Sequence, residues 1–172
     1  MVETPRRKSL RLNGYDYSQC GAYFITMVTH NRLNLFGENR DGDMNLNPAG
    51  IMIEKWWNEI VKKFPDIELD ACIIMPNHVH GIIVNVGFES NSILKNQPEG
   101  TPLPQIIQWF KTMSTNEYIR GVKELSWARF AGSLWQRSYY DRIIRNTREL
   151  EAIRAYIQAN PSNWVKDKEY NL

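Results

Sequence analysis

Apolar residues recur along this chain with period two in some stretches and with helical period in others, and the two patterns divide it into strands and helices. The β-branched and aromatic run over residues 22–29 predicts a first strand, and residues 33–36 a further short extended piece. Asp41-Gly42 reads as a tight hairpin turn. Asn47 is placed to N-cap a helix with Pro48 at its first position. Ile53, Trp56, Trp57, Ile60, Val61 and Phe64 then fall at helical spacing until Pro65 stops the element. Ile67, Leu69, Ala71, Ile73 and Met75 alternate with Glu68, Asp70, Cys72 and Ile74, as a half-buried strand should. Pro76-Asn77 turns that strand into another beginning at His78, and the pair is expected at the centre of an antiparallel sheet. Residues 88–100 are polar and irregular and read as a loop. A second helix is predicted from about 104 to 118, using Ile106, Ile107, Phe110 and Met113. An extended segment, 133–139, leads into a last helix that Asn146 and Glu149 can cap as a box and that Pro161 ends at Asn160. Strands separated by two main helices, with no internal repeat, predict one α+β domain across residues 1–172, its sheet and helices packed in layers.

Composition narrows the setting. A chain of 172 residues with 42% hydrophobic content is sufficient for a single core. No apolar run follows the basic start Arg6-Arg7-Lys8 and none is long enough to span a bilayer, so no membrane partner and a cytoplasmic location are expected. Cys20 and Cys72 lie in apolar strand-like runs without close pairing; they read as buried core thiols rather than a disulfide framework or a zinc site. The net charge of +2 argues little by itself, but it is unevenly placed. A basic arm over residues 1–11 holds Arg6, Arg7, Lys8 and Arg11 against Glu3. A second cluster of Arg129, Arg137, Arg142, Arg145, Arg148 and Arg154 is interleaved with Trp135, Tyr139 and Tyr140. Such clusters suit nucleic-acid phosphates and stacked bases, and equally a solvated surface and a packed core.

The candidate chemistry is concentrated in His78-Val79-His80, which places two of the three histidines at alternate strand positions. They would share one face with Cα atoms roughly 6.5 to 7 Å apart, close enough for both rings to reach one metal ion, while Val79 and Ile83 point into the core. Two ordinary strand histidines satisfy the same pattern. On the last helix Leu150, Ile153 and Ile157 form a core stripe, with Tyr156 and Asn160 together along its edge, one turn apart. That pair fits a hydroxyl and an amide oxygen brought to a metal site, or a packing tyrosine and a helix cap.

The residues Gly21-Ala22-Tyr23-Phe24-Ile25-Thr26, Met75-Pro76-Asn77-His78-Val79-His80-Gly81-Ile82-Ile83, Trp135-Gln136-Arg137-Ser138-Tyr139-Tyr140-Asp141, Ile144-Arg145-Asn146, Tyr156-Ile157 and Asn160-Pro161 resemble, in order and spacing, the REP-associated tyrosine transposases. These are relatives of the single-tyrosine HUH transposases of bacterial insertion sequences. The likeness spans residues 11–164 and departs from the pattern at Arg142, where many relatives carry His. It implies a ferredoxin-like or RRM-like antiparallel sheet with helices packed on one face and the histidine motif on a central strand. It further implies His78, His80 and Asn160 as ligands of Mg²⁺ or Mn²⁺, with zinc also acceptable to imidazole, and Tyr156 as nucleophile. The implied substrate is single-stranded DNA, as hairpins of palindromic repeats, bound by a monomer or a homodimer. Candidate DNA contacts are Arg6, Arg7, Lys8, Arg11, Trp135, Arg137, Tyr139, Tyr140, Arg142 and Arg145. Attack of the phenolic oxygen on phosphorus would conserve the phosphodiester bond energy in a 5′-phosphotyrosine and release a 3′-hydroxyl able to reverse the step. An ordinary phenol is only about a thousandth ionised at neutral pH, so the nucleophile needs a metal, an arginine or a base beside it. Tyr139 and Tyr140 compete with Tyr156 for that role but lack a partner one turn away. A hairpin-binding module with little chemistry and a water-using phosphoesterase remain as alternatives.

Overall fold

The computed structural model describes residues 14–87 and 100–166. The basic arm and the polar stretch over 88–99 lie outside these residues.

The elements follow in the order β1 (Gly21–Val28), β2 (Gly37–Arg40), β3 (Asp43–Leu46), α1 (Pro48–Lys63), β4 (Ile67–Ile74), β5 (His78–Asn85), α2 (Leu103–Glu124), β6 (Tyr140–Ile144) and α3 (Thr147–Ala159). A 3₁₀ turn, Pro161–Lys166, follows α3. β1, β4, β5 and β6 form one antiparallel sheet in the order β4-β5-β1-β6. With the β2–β3 hairpin set aside, this is the βαββαβ arrangement of a ferredoxin-like α+β fold. The histidine strand β5 is central, as expected. β4 is an edge strand, so the β4–β5 pair does not form the middle of the sheet; β1 takes that place beside β5.

Local chemistry accounts for most boundaries. Asp41 and Gly42 both take positive φ (53° and 88°), the backbone that a two-residue hairpin loop demands, and Arg40 pairs with Asp43 across it. Residues 33–36 form no strand; instead the Leu35 and Phe36 amides donate to the Pro76 carbonyl, tying this segment to the β4–β5 turn. Asn47 Oδ1 accepts from the Gly50 amide at 2.9 Å and Pro48 opens α1, so the expected cap is present. Asn146 Oδ1 caps α3 by accepting from the Glu149 amide at 2.9 Å. The extended segment predicted at 133–139 joins the sheet only through the Thr29–Trp135 bridge, and the true strand β6 begins where that segment was expected to end.

Both faces of the sheet are covered, by different means. α1 and α2 cover one face, over Tyr23, Ile25 and Met27 of β1 and Val79 and Ile83 of β5, with Trp57 and Phe110 packed edge to face between them. Here Gly81 is required: a Cβ at this position would fall 2.4 Å from the Trp57 ring. α3 covers the opposite face, where Phe24, Ile82, Ile144, Ile153 and Ile157 form a smaller cluster flanked by Ala71 and Ile73. The helices expected on one face are therefore α1 and α2, and α3 adds a second layer. A register shift in β4 between Leu69 and Cys72 breaks the simple alternation, so Ile67 and Leu69 share a face with Cys72 and Ile74 rather than with Ala71 and Ile73. The bulge holds Asp70 against Arg154 of α3. Cys72 is half-buried and Cys20 is exposed, which corrects the expectation that both are core thiols. Burial pushes the Cys72 thiol well above its usual range. No helix among the described residues is long and apolar enough to cross a membrane.

Candidate active site

The period of a strand sends His78 and His80 to the α3 face, and the antiparallel register sets Val28 opposite His78 and Thr26 opposite His80. Both histidines are fully buried and their rings are 4.4 Å apart between centroids. Each has an oxygen partner at Nδ1: Asn77 Oδ1 at 2.9 Å for His78 and Thr26 Oγ1 at 2.8 Å for His80. Asn77 Nδ2 donates to the Arg32 carbonyl, which orients that amide with its oxygen toward His78. The network is self-consistent when both Nδ1 atoms carry the proton and both Nε2 atoms carry a lone pair, the state in which imidazole ligates metal.

α3 brings the remaining groups. The Tyr156 hydroxyl lies 3.2 Å from His80 Nε2, and its ring meets those of His80 and Phe24. The Tyr156 side chain nonetheless remains 42% exposed, so it touches the buried histidine from the solvent side. In the 3₁₀ turn, Trp164 lies against the His78 ring at 5.7 Å. Asn160, buried and ending α3, stands in sequence midway between these two residues that touch the histidines. Among the described residues no group of three His, Cys, Asp or Glu side chains is placed to hold a metal. Two neutral imidazole nitrogens and one amide oxygen form a donor set suited to a divalent ion that keeps open positions for water or phosphate.

Beside this pair opens a cleft of about 330 Å³, lined by Phe24, Thr26, His80, Tyr140, Arg142, Glu149 and Tyr156 among others. Arg142 on β6 meets Glu149 on α3 through Nε at 2.7 Å and Nη2 at 2.6 Å, both to Oε1. Glu149 Oε2 accepts from the Arg145 amide at 2.9 Å. That backbone bond, aided by the Arg142 guanidinium, holds the Glu149 carboxyl below the usual carboxylate range.

The other expected DNA contacts separate by burial. Trp135 is only 4% exposed, its Nε1 donates to Ser114 Oγ, and it packs on Phe36 and Phe110; it offers no face for a base, which corrects that assignment. Tyr139 is likewise buried on the α1/α2 side, with Lys111 Nζ over its ring at 5.6 Å, so it is neither a stacking platform nor a rival nucleophile. Tyr140 is exposed on the Tyr156 side, edge-on to Phe24. Arg137 and Arg145 are exposed, Arg137 at the rim of a separate cleft of about 770 Å³ between α2 and residues 133–139. Arg6, Arg7, Lys8 and Arg11 lie outside the described residues. Sequence reasoning missed Thr26, Asn77 and Trp164 as partners of the histidines. Thr26 alone left a signal, a hydroxyl in an otherwise apolar central strand.

The chain is 36% identical over 177 residues to a Haemophilus influenzae protein described as uncharacterized, covering 95% of this chain and 93% of that one. Its fold is similar to the solved structure of a REP-associated tyrosine transposase bound to a REP hairpin. That match has a TM-score of 0.58 at 21% identity, and covers 96% of this chain and 77% of the other. Residues 18–160 match the family model described as Transposase IS200 like, and this chain belongs to the IS200-like transposase family.

Proposed function

We propose that this protein cleaves and rejoins single-stranded DNA at hairpins through a covalent 5′-phosphotyrosine on Tyr156, with His78, His80 and Asn160 holding a divalent ion. The observation that carries this reading is the Tyr156 hydroxyl at 3.2 Å from His80 Nε2, which joins the exposed phenol of one element to the buried histidine pair of another. Family membership supports a transposase role on DNA, and the similar fold that holds a REP hairpin supports hairpins as substrate. The bound ion, Mg²⁺ or Mn²⁺, would supply Lewis-acid polarisation of the scissile phosphate.

The chain's own residues do the rest. Asn77 and Thr26 fix the ring orientation of the histidines. α3 presents Tyr156 at the cleft, so that its oxygen can approach a phosphorus in line with the departing 3′ oxygen. The new bond joins Tyr156 Oη to phosphorus, the bond from phosphorus to the 3′ oxygen breaks, and the phenolic proton ends on the released 3′-hydroxyl. The downstream strand stays attached through its 5′ phosphate, and a 3′-hydroxyl attacking the same phosphorus reverses the step.

Incubation of the protein and Mn²⁺ with hairpin DNA labelled at either end tests this on a denaturing gel. The 3′ label should migrate with the protein, and the adduct should vanish with EDTA, His78→Ala and Tyr156→Phe. An adduct that persists in Tyr156→Phe would reject the nucleophile, and one carrying the 5′ label would reject the polarity.

A further inference from the structure

The Tyr156 cleft contains an ion pair that the nucleophile and the histidines leave unexplained. Arg142 comes from edge strand β6 and Glu149 from the first turn of α3, seven residues and about two turns before Tyr156, on the same side of the helix. Glu149 is tied down twice, by Arg142 on Oε1 and by the Arg145 amide on Oε2. The guanidinium meets Glu149 along its Nε/Nη2 edge. A guanidinium is a planar fork with two such edges, and its Nη1/Nη2 edge then points away from the carboxylate. The Arg142 side chain is 57% exposed, so that outer edge is open to a ligand entering the cleft. Bidentate donation to two oxygens of one phosphate is the geometry that edge matches best.

We propose that Arg142 binds a DNA phosphodiester beside Tyr156 through this outer edge, and that Glu149 is its positioning residue. The inference rests on the reading of Tyr156 as nucleophile only for which phosphate is held; the anion site itself stands on the Arg142–Glu149 geometry. Because Glu149 stands in the first turn of α3, its carboxylate ties the guanidinium to the helix that carries the phenol. The phosphate and the attacking oxygen are thereby referred to one rigid element. A lysine would conserve the charge but cannot bridge a carboxylate and a phosphate with two edges.

Two measurements test this on the full chain. In a Tyr156→Phe background, which removes chemistry, anisotropy titration uses a hairpin with randomised single-stranded flanks, since a phosphate contact is independent of sequence. Arg142→Ala should weaken binding about tenfold, as expected for a charge-assisted contact, and Arg142→Lys should restore no more than part of it. With Tyr156 intact, Glu149→Gln should slow adduct formation in the Arg142 protein and have no further effect in Arg142→Ala. A role confined to α3 would slow both backgrounds equally, and that result overturns the positioning role. Full rescue by Arg142→Lys overturns the bridging geometry, and unchanged binding in Arg142→Ala overturns the phosphate site. Absence of any adduct in the wild type, with the Arg142→Ala binding loss intact, removes the nucleophile and leaves the phosphate site standing.

Discussion

The two faces of one sheet are built to different rules. The face under α1 and α2 is filled almost wholly by aliphatic and aromatic side chains, including Tyr23, Ile25, Ile53, Trp57, Ile60, Ile83 and Phe110. The face under α3 has only five buried apolar residues in its cluster and, beside them, buried His78, His80, Thr26 and Asn160. Burying polar groups costs free energy unless each finds a partner, so this second face is less stabilising per residue, and both histidines there are held through Nδ1 by Asn77 and Thr26. One face holds the molecule together and the other is free to carry chemistry.

The contrast can be broken most directly from the dry side. Phe110→Ala removes a fully buried ring and is expected to cost about 3–5 kcal/mol in denaturant unfolding. Tyr156→Phe on the other face removes one hydrogen bond and should cost no more than about 1 kcal/mol while eliminating the adduct. Equal losses in the two variants would erase the distinction. Gly81→Ala is next: its methyl would collide with the Trp57 ring, and about 1–3 kcal/mol should be lost with the histidine pair still able to bind metal. A stability unchanged from wild type would mean that Trp57 moves aside freely.

The wet face can be sharpened with metal. The Tyr156 hydroxyl occupies His80 Nε2, the nitrogen that an ion would need, so the phenol and the ion compete. Calorimetric titration with Mn²⁺ should show Tyr156→Phe binding about fivefold more tightly than wild type, the worth of one ordinary hydrogen bond. Weaker binding in Tyr156→Phe would instead make the phenol a ligand. The smallest effect is electrostatic and joins α3 to the edge of the sheet. Arg154 holds the Asp70 carboxyl below its ordinary range, chiefly by hydrogen bonding. A depressed carboxyl stabilises the fold above its unfolded pKa, near 3.9, and that contribution is lost as pH falls through the folded value. Both side chains are partly solvated, so the loss should be under about 1 kcal/mol. Unfolding titrations below about pH 4 should be flatter in Arg154→Ala, and parallel curves would remove the pair from the acid response.

Much of this was written in local pattern. The cap at Asn47, the turn at Asp41-Gly42 and the end of α3 before Pro161 each depend on the backbone preferences of one or two residues, which act over a few positions. The His78 and His80 placement is equally local, because a strand has a strict period of two. The bulge at Asp70 was not legible, since it shows only in the pairing of β4 with β5 and in the contact of Asp70 with a helix that begins 77 residues later. Nor was the fate of Trp135 and Tyr139: an aromatic beside arginines packs or stacks according to what lies opposite, and here the core lies opposite.

The sequence by itself determined the two helix caps, the hairpin turn and the shared face of His78 and His80, because periodicity and capping are short-range. Only the tertiary structure decided that α3 crosses the histidine face rather than joining α1 and α2. That choice put Tyr156 against His80, Trp164 against His78 and Glu149 against Arg142. These contacts join residues up to 86 positions apart, and they form because the second apolar face of the sheet has to be covered, and among the described residues α3 is the helix that covers it.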